Sequence, residues 1–171
     1  MTPRFASAAL AIGLAAGPGQ AQQADGPDTL RETFRDWTLQ CRQPGNENRS
    51  CEIVQRINQE GSGRRLLTIS IRYNAEDEAA ATIITPFGLR LSDGVEVTAD
   101  DSVLGRYEFD TCLSQGCLVV APVDGKTATT MREADSGEVR AVTRQGESFA
   151  IPVSFEGFSA ALDRLRSFSE G

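Results

Sequence analysis

The chain has 171 residues, four of them cysteine and none histidine, with 24 Asp and Glu against 17 Lys and Arg for a formal charge of −7. That balance argues against nucleic acid or an anionic membrane as the main partner. A chain without histidine cannot build a Ser-His or Cys-His nucleophile pair.

The first residues read as a leader. "MTPRFASAALAIGLAAGPGQAQQA" carries Arg4 as a short basic region, an apolar run from Phe5 to Ala16, and a small-residue site at Gly19-Gln20-Ala21. This is the pattern of a secretory signal peptide over residues 1–21. The run is too short and too rich in alanine to span a bilayer. Cleavage after Ala21 would leave 171 − 21 = 150 residues and, with Arg4 gone, a charge of −7 − 1 = −8. Residues 22–33, "QQADGPDTLRET", are polar and read as a flexible lead-in. Residues 34–171 then form a single domain. No later segment is apolar for long enough to be a membrane helix, so the mature chain has no transmembrane segment.

From Asp36 the hydrophobic pattern has period two. Trp37, Leu39 and Cys41 fall on one face of a strand, with Thr38 and Gln40 opposite. "RQPGNENRS" is dense in turn formers, and "CEIVQRIN" resumes the alternation. "RRLLTISIRY" places Leu67, Ile69, Ile71 and Tyr73 together, and the intervening "QEGSGR" predicts a hairpin. "TIITPF" is a strand ended, or placed at a sheet edge, by Pro86. "GLRLSDGVEVTAD" holds a Ser-Asp-Gly turn signal between two apolar runs. "GRYEFDTC" alternates through Tyr107 and Phe109. "CLVVAPV", continuously apolar, predicts a strand buried on both faces. "GKTATTMREAD" is ambiguous, since three threonines weaken a short helix there. "EVRAVTR" and "ESFAIPV" predict a last hairpin. The period then changes: Phe158, Ala161, Leu162, Leu165 and Phe168 form one helical stripe, with Ser159 as the expected N-cap. The sum is an all-β, β-sandwich-like domain of roughly eight to ten antiparallel strands with a C-terminal amphipathic helix.

Cys41, Cys51, Cys112 and Cys117 are an even set in a chain with an export signal, which points to disulfides. Each nearby pair, 41 with 51 and 112 with 117, flanks a turn between strands and fits a local staple. A redox site is less well matched, because the second pair is spaced C-x₄-C rather than C-x-x-C at a helix N-terminus. Zinc would want closer pairs or histidines. No phosphate-binding or dinucleotide-binding glycine motif is present, and no cofactor or metal is expected. The acidic stretches at 75–80 and 99–101 lack the ligand spacing of a calcium loop. Carboxylate pairs are plentiful but none is singled out for glycoside hydrolysis.

The segments "DWTLQC", "CEIVQ", "LLTISI", "PFGLRLSDGV", "FDTCLSQGC" and "IPVSFEGFSAAL" occur in the order found in the invasion-associated locus B family, which the chain resembles from about Phe34 to Phe168. The resemblance implies a compact β-rich domain with paired cysteines, exported by an alphaproteobacterium, and brings no catalytic residue with it. The expected function is a non-enzymatic envelope or periplasmic domain that binds a protein or envelope component, periplasmic or else outer-membrane-associated or secreted. Two other expectations stand beside it: a thiol-active or hydrolytic periplasmic enzyme, and a secreted or surface factor in host-cell invasion.

Overall fold

A computed structural model describes residues 29–43 and 49–169; the leader and residues 22–28 of the lead-in lie outside them. Among the described residues there are eleven strands. They are β1 (Thr29–Phe34), β2 (Trp37–Arg42), β3 (Ser50–Asn58), β4 (Arg65–Tyr73), β5 (Ala79–Thr85), β6 (Val95–Ala99), β7 (Ser102–Tyr107), β8 (Thr111–Leu113), β9 (Gly116–Pro122), β10 (Ser136–Val142) and β11 (Ser148–Ser154). Two helices join them, α1 (Gly125–Glu133) and α2 (Phe158–Ser169). A seven-stranded sheet runs β1-β2-β3-β4-β5-β9-β8, a four-stranded sheet runs β11-β10-β6-β7, and all pairs are antiparallel. The all-β fold with a C-terminal helix is as the patterning predicts.

The larger sheet buries one face. Trp37, Leu39, Ile53, Leu67, Ile69, Ile71, Ile83 and Val119 come from alternate positions of its strands and form the centre of the core. Two elements share that face. Helix α2 lies over β1 to β4 with Phe158, Ala161, Leu162 and Leu165 turned inward. The smaller sheet covers β4, β5 and β9: Val97, Val153 and Phe155 meet Ile69, Ile83 and Ala121 around a residual apolar gap of about 30 Å³. A void of that size and lining leaves a water without polar partners.

The edge of the smaller sheet is closed by a side chain. Gln55, buried in β3, donates from Nε2 to the Ser154 carbonyl at 2.8 Å and accepts from the Ser154 N–H at 3.1 Å. The Trp37 indole donates to the same carbonyl at 3.0 Å. The amide of Gln55 thus stands in for a neighbouring strand, and β11 keeps no orphaned polar group at this point.

Several local expectations are corrected. The lead-in does not extend to residue 33. Thr29–Phe34 is the first strand, paired in register with β2 from Thr29↔Arg42 to Phe34↔Trp37. It escapes the hydrophobic pattern because its inward-facing Glu32 is held by Arg164 of α2 through two hydrogen bonds of 2.9 Å. Residues 125–133 are a helix despite their threonines. Asp124 caps it by accepting from the Thr127 N–H at 2.7 Å, and the Thr129 and Thr130 hydroxyls bond back to the carbonyls of Gly125 and Lys126. Ser159 is not an N-cap. The helix starts one residue earlier, and its hydroxyl donates to the Arg132 carbonyl on α1. "CLVVAPV" is buried on one face only, since Val120 is exposed. The Ser-Asp-Gly turn lies where expected: Leu91–Asp93 is a single 3₁₀ turn, and Leu89 before it makes one isolated bridge to Thr143.

The tie between β1 and α2 has a pH signature. The Arg164 hydrogen bond holds the Glu32 carboxyl below the usual glutamate range. Arg106 does the same for Glu96, and the Thr127 backbone N–H for Asp124. A carboxyl depressed in the folded state contributes stability above its unfolded pKa, near 4 for Asp and Glu, and loses it as pH falls through the folded value. Thermal unfolding is therefore expected to shift to lower temperature below about pH 5. Glu32→Gln is expected to flatten that decline. An unchanged pH slope in the variant would show that the tie contributes nothing.

Candidate interaction site

The four cysteines form two disulfides, Cys41–Cys51 and Cys112–Cys117. Each joins residues that face one another directly across an antiparallel pair, β2 with β3 and β8 with β9. Their settings differ. Cys41 belongs to the core, whereas Cys112 is exposed and only its partner Cys117 is buried. The "CLSQGC" stretch is thus a stapled hairpin tip, and its surroundings fix it further. The Thr85 hydroxyl donates to the Cys117 carbonyl at 3.1 Å, and Arg65 Nη2 donates to the Gln115 carbonyl at 3.4 Å. Gly116, at φ 142°, packs so closely on the Thr85 carbonyl that a side chain there would collide with it.

Beside this tip lies an open groove of about 560 Å³, walled by the Phe87–Leu91 segment, the Cys112–Cys117 bridge and Arg144. The Phe87–Leu91 segment is pinned to the β10–β11 turn. Arg90 N–H donates to the Val142 carbonyl at 2.8 Å, and Arg144 N–H to the Gly88 carbonyl at 2.9 Å. Pinning the backbone leaves the side chains outside: Phe87 is 61% exposed and Leu91 46%. Single exposed apolar residues are ordinary, but here two of them share one groove with a disulfide and a guanidinium. Arg90 is offset by Asp93 at 3.3 Å, while the Arg144 guanidinium has no ion-pair partner among the described residues.

Among the described residues, no group of three or more His, Cys, Asp or Glu is placed to hold a metal ion, and no helix is long and apolar enough to cross a membrane.

A family model described as Invasion associated locus B (IalB) protein matches residues 37–166. The chain belongs to the invasion associated locus B family. It is 32% identical over 146 residues to an invasion protein B homolog of Brucella abortus (strain 2308), covering 85% of this chain and 84% of that protein. It is 29% identical over 159 residues to invasion protein B of Bartonella bacilliformis, covering 90% and 83%. In fold it is similar to the crystal structure of invasion associated protein B from Bartonella henselae, with a TM-score of 0.74 and 22% identity over 82% of this chain and 97% of that one.

Four of the six segments that carry the likeness to the IalB family gather at two places in the fold. "DWTLQC" and "IPVSFEGFSAAL" meet inside the molecule. There the rings of Trp37 and Phe158 meet in a T-shaped contact at 5.2 Å, those of Phe155 and Phe158 in another at 5.8 Å, and Gly157 packs on the Phe34 carbonyl. Packing explains this cluster completely. "PFGLRLSDGV" and "FDTCLSQGC" meet at the groove, on the surface. In the sequence they read as strand ends, turns and a local cysteine staple. No local signal joins Phe87, Cys112 and Arg144, because hairpins far apart in the chain bring them together.

Proposed function

We propose that the chain is an exported, disulfide-stapled and non-enzymatic domain of the bacterial envelope that binds a protein or envelope component in the periplasm, and that the groove at Phe87 and Leu91 is its contact surface. The exposed apolar wall of that groove carries the reading, because burying what remains exposed of Phe87 and Leu91 against a partner would be worth roughly 1 kcal/mol or more per side chain. Two further observations support it. The leader pattern and paired cysteines suit an oxidising compartment. The chain also offers no histidine for nucleophile activation or proton transfer.

The test is made in the native bacterium. The exported chain is expected to begin at Gln22, to appear in the periplasmic extract, and to show four cysteines closed to alkylation until reduced. A photo-crosslinking residue at position 87 is expected to give a discrete adduct, while one at exposed Arg56 is not. A chain retained in the cytoplasm, or the same adducts from both positions, would sink the reading. The names of the relatives favour a second reading, a secreted or surface factor in host-cell invasion. Protease added to intact cells separates the two. Full protection until the outer membrane is opened would exclude direct host contact by the cell-bound protein.

A further inference from the structure

We infer that the groove takes an extended segment of another protein, added as a strand along the free edge of β8, with one apolar side chain seated on Phe87 and Leu91 and a carboxylate placed at Arg144. This inference rests on the binding reading above and names the chemistry of the partner.

Three observations lead to it. First, among the described residues β8 is the last strand of the seven-stranded sheet and pairs only with β9. Its outer N–H and C=O groups therefore have no strand neighbour, and an extended peptide satisfies such groups by joining the sheet. Second, the alternation of the strand selects the side chains. Cys112 stands in the row of Cys117 and Thr85, the row that faces the groove, while Thr111 and Leu113 belong to the opposite face. A strand added beside β8 puts every second side chain into the Cys112 row, above the Phe87–Leu91 wall. The wall is apolar and its backbone is pinned to the β10–β11 turn, so the seated side chain is apolar. Third, the charge at the rim is positive and unspent. Arg90 already has Asp93, but the Arg144 guanidinium has no ion-pair partner among the described residues. In a chain of formal charge −7, this is a local site for a carboxylate, which a planar guanidinium binds with two hydrogen bonds.

The experiment is selection of a displayed random heptapeptide library on the full exported chain, with counter-selection on Phe87→Ser/Leu91→Ser and on Arg144→Gln. These positions are exposed or lie at the rim, so the variants are expected to fold, and their circular dichroism and melting curves check it. The enriched peptides are expected to share an apolar residue and an acidic residue. The best one, labelled with fluorescein, is then titrated by anisotropy. Arg144→Gln is expected to weaken it about tenfold or more and to leave its Glu→Gln or Asp→Asn analogue unaffected. The Phe87→Ser/Leu91→Ser variant is expected to weaken both peptides. N-methylation of alternate peptide amides is expected to abolish binding in one register and spare it in the other, the signature of strand addition. No enrichment, or enrichment equal on the wild-type chain and the variants, overturns the inference. If peptides fail but crosslinking from position 87 still yields a cellular adduct, the peptide chemistry is wrong and the binding reading survives. If both fail, both fall.

Discussion

Replacing Trp37 by alanine is expected to lower stability by about 3–5 kcal/mol, and with it the melting temperature by roughly 10–20 °C. The ring is fully buried and touches three elements at once. It lies in β2, packs in a T-shaped contact with Phe158 of α2, and donates its N–H to the Ser154 carbonyl at the end of β11. Truncation opens a cavity where the helix, the larger sheet and the edge of the smaller one converge, so no single element can collapse into it. Trp37→Phe separates packing from hydrogen bonding. It keeps most of the ring volume, and the Ser154 carbonyl still accepts from Gln55, so its cost is expected to be about 1 kcal/mol. Equal losses in the two variants would mean that the indole hydrogen bond, and not the packing, holds this junction. Domains typically have about 5–15 kcal/mol in total, so the alanine variant tests whether the fold survives at all.

How far the fold could be read from the sequence depended on where each element finds its partners. The strands around Trp37 and Leu67 and the stripe of α2 announce themselves, because each buries a regular row against the core. Strand β1 does not. Its inward glutamate looks like a solvated charge until Arg164, 132 residues away, closes on it. Helix α1 hides for a different reason. Its propensity is poor, and the cap at Asp124 together with the packing of Met131 compensates for it. Val120 misleads in the opposite direction, since among the described residues no layer covers the outer face of β9 although the sequence there is apolar throughout. The cysteine pairs were legible because each is local. The groove beside one of them was not, since Arg144 reaches it only through the contact of the β10–β11 turn with Gly88.

The two disulfides are expected to differ in reactivity and in what they contribute to stability. Cys41–Cys51 has sequence separation 10, with Cys41 in the core and Cys51 partly buried, and Cys112–Cys117 has separation 5 at a surface tip. Loop closure alone assigns about 2–3 kcal/mol to each, slightly more to the first. The surroundings widen the gap. Replacing Cys41 and Cys51 by alanine also removes buried sulfur from the core, which adds a packing loss. The tip of the second hairpin is still tied by Arg65, by Thr85 and by the close packing of Gly116 once its bridge is gone. Cys41→Ala/Cys51→Ala is therefore expected to lose about 3 kcal/mol or more in a urea titration, and Cys112→Ala/Cys117→Ala about 2 kcal/mol or less. Reduction is expected to follow access, because an attacking thiolate must reach a sulfur. In mild reductant without denaturant, alkylation is expected at Cys112 and Cys117 while the melting curve remains cooperative. Cys41 and Cys51 are expected to react only after unfolding. The reverse order would place the labile bridge in the core, and the Cys112–Cys117 bridge could then be trusted as the fixed wall of the groove even in a reducing setting. The expected order makes the groove the part of the molecule that a reductant reaches first, so peptide binding measured with and without mild reductant reports directly on how much the wall depends on its staple.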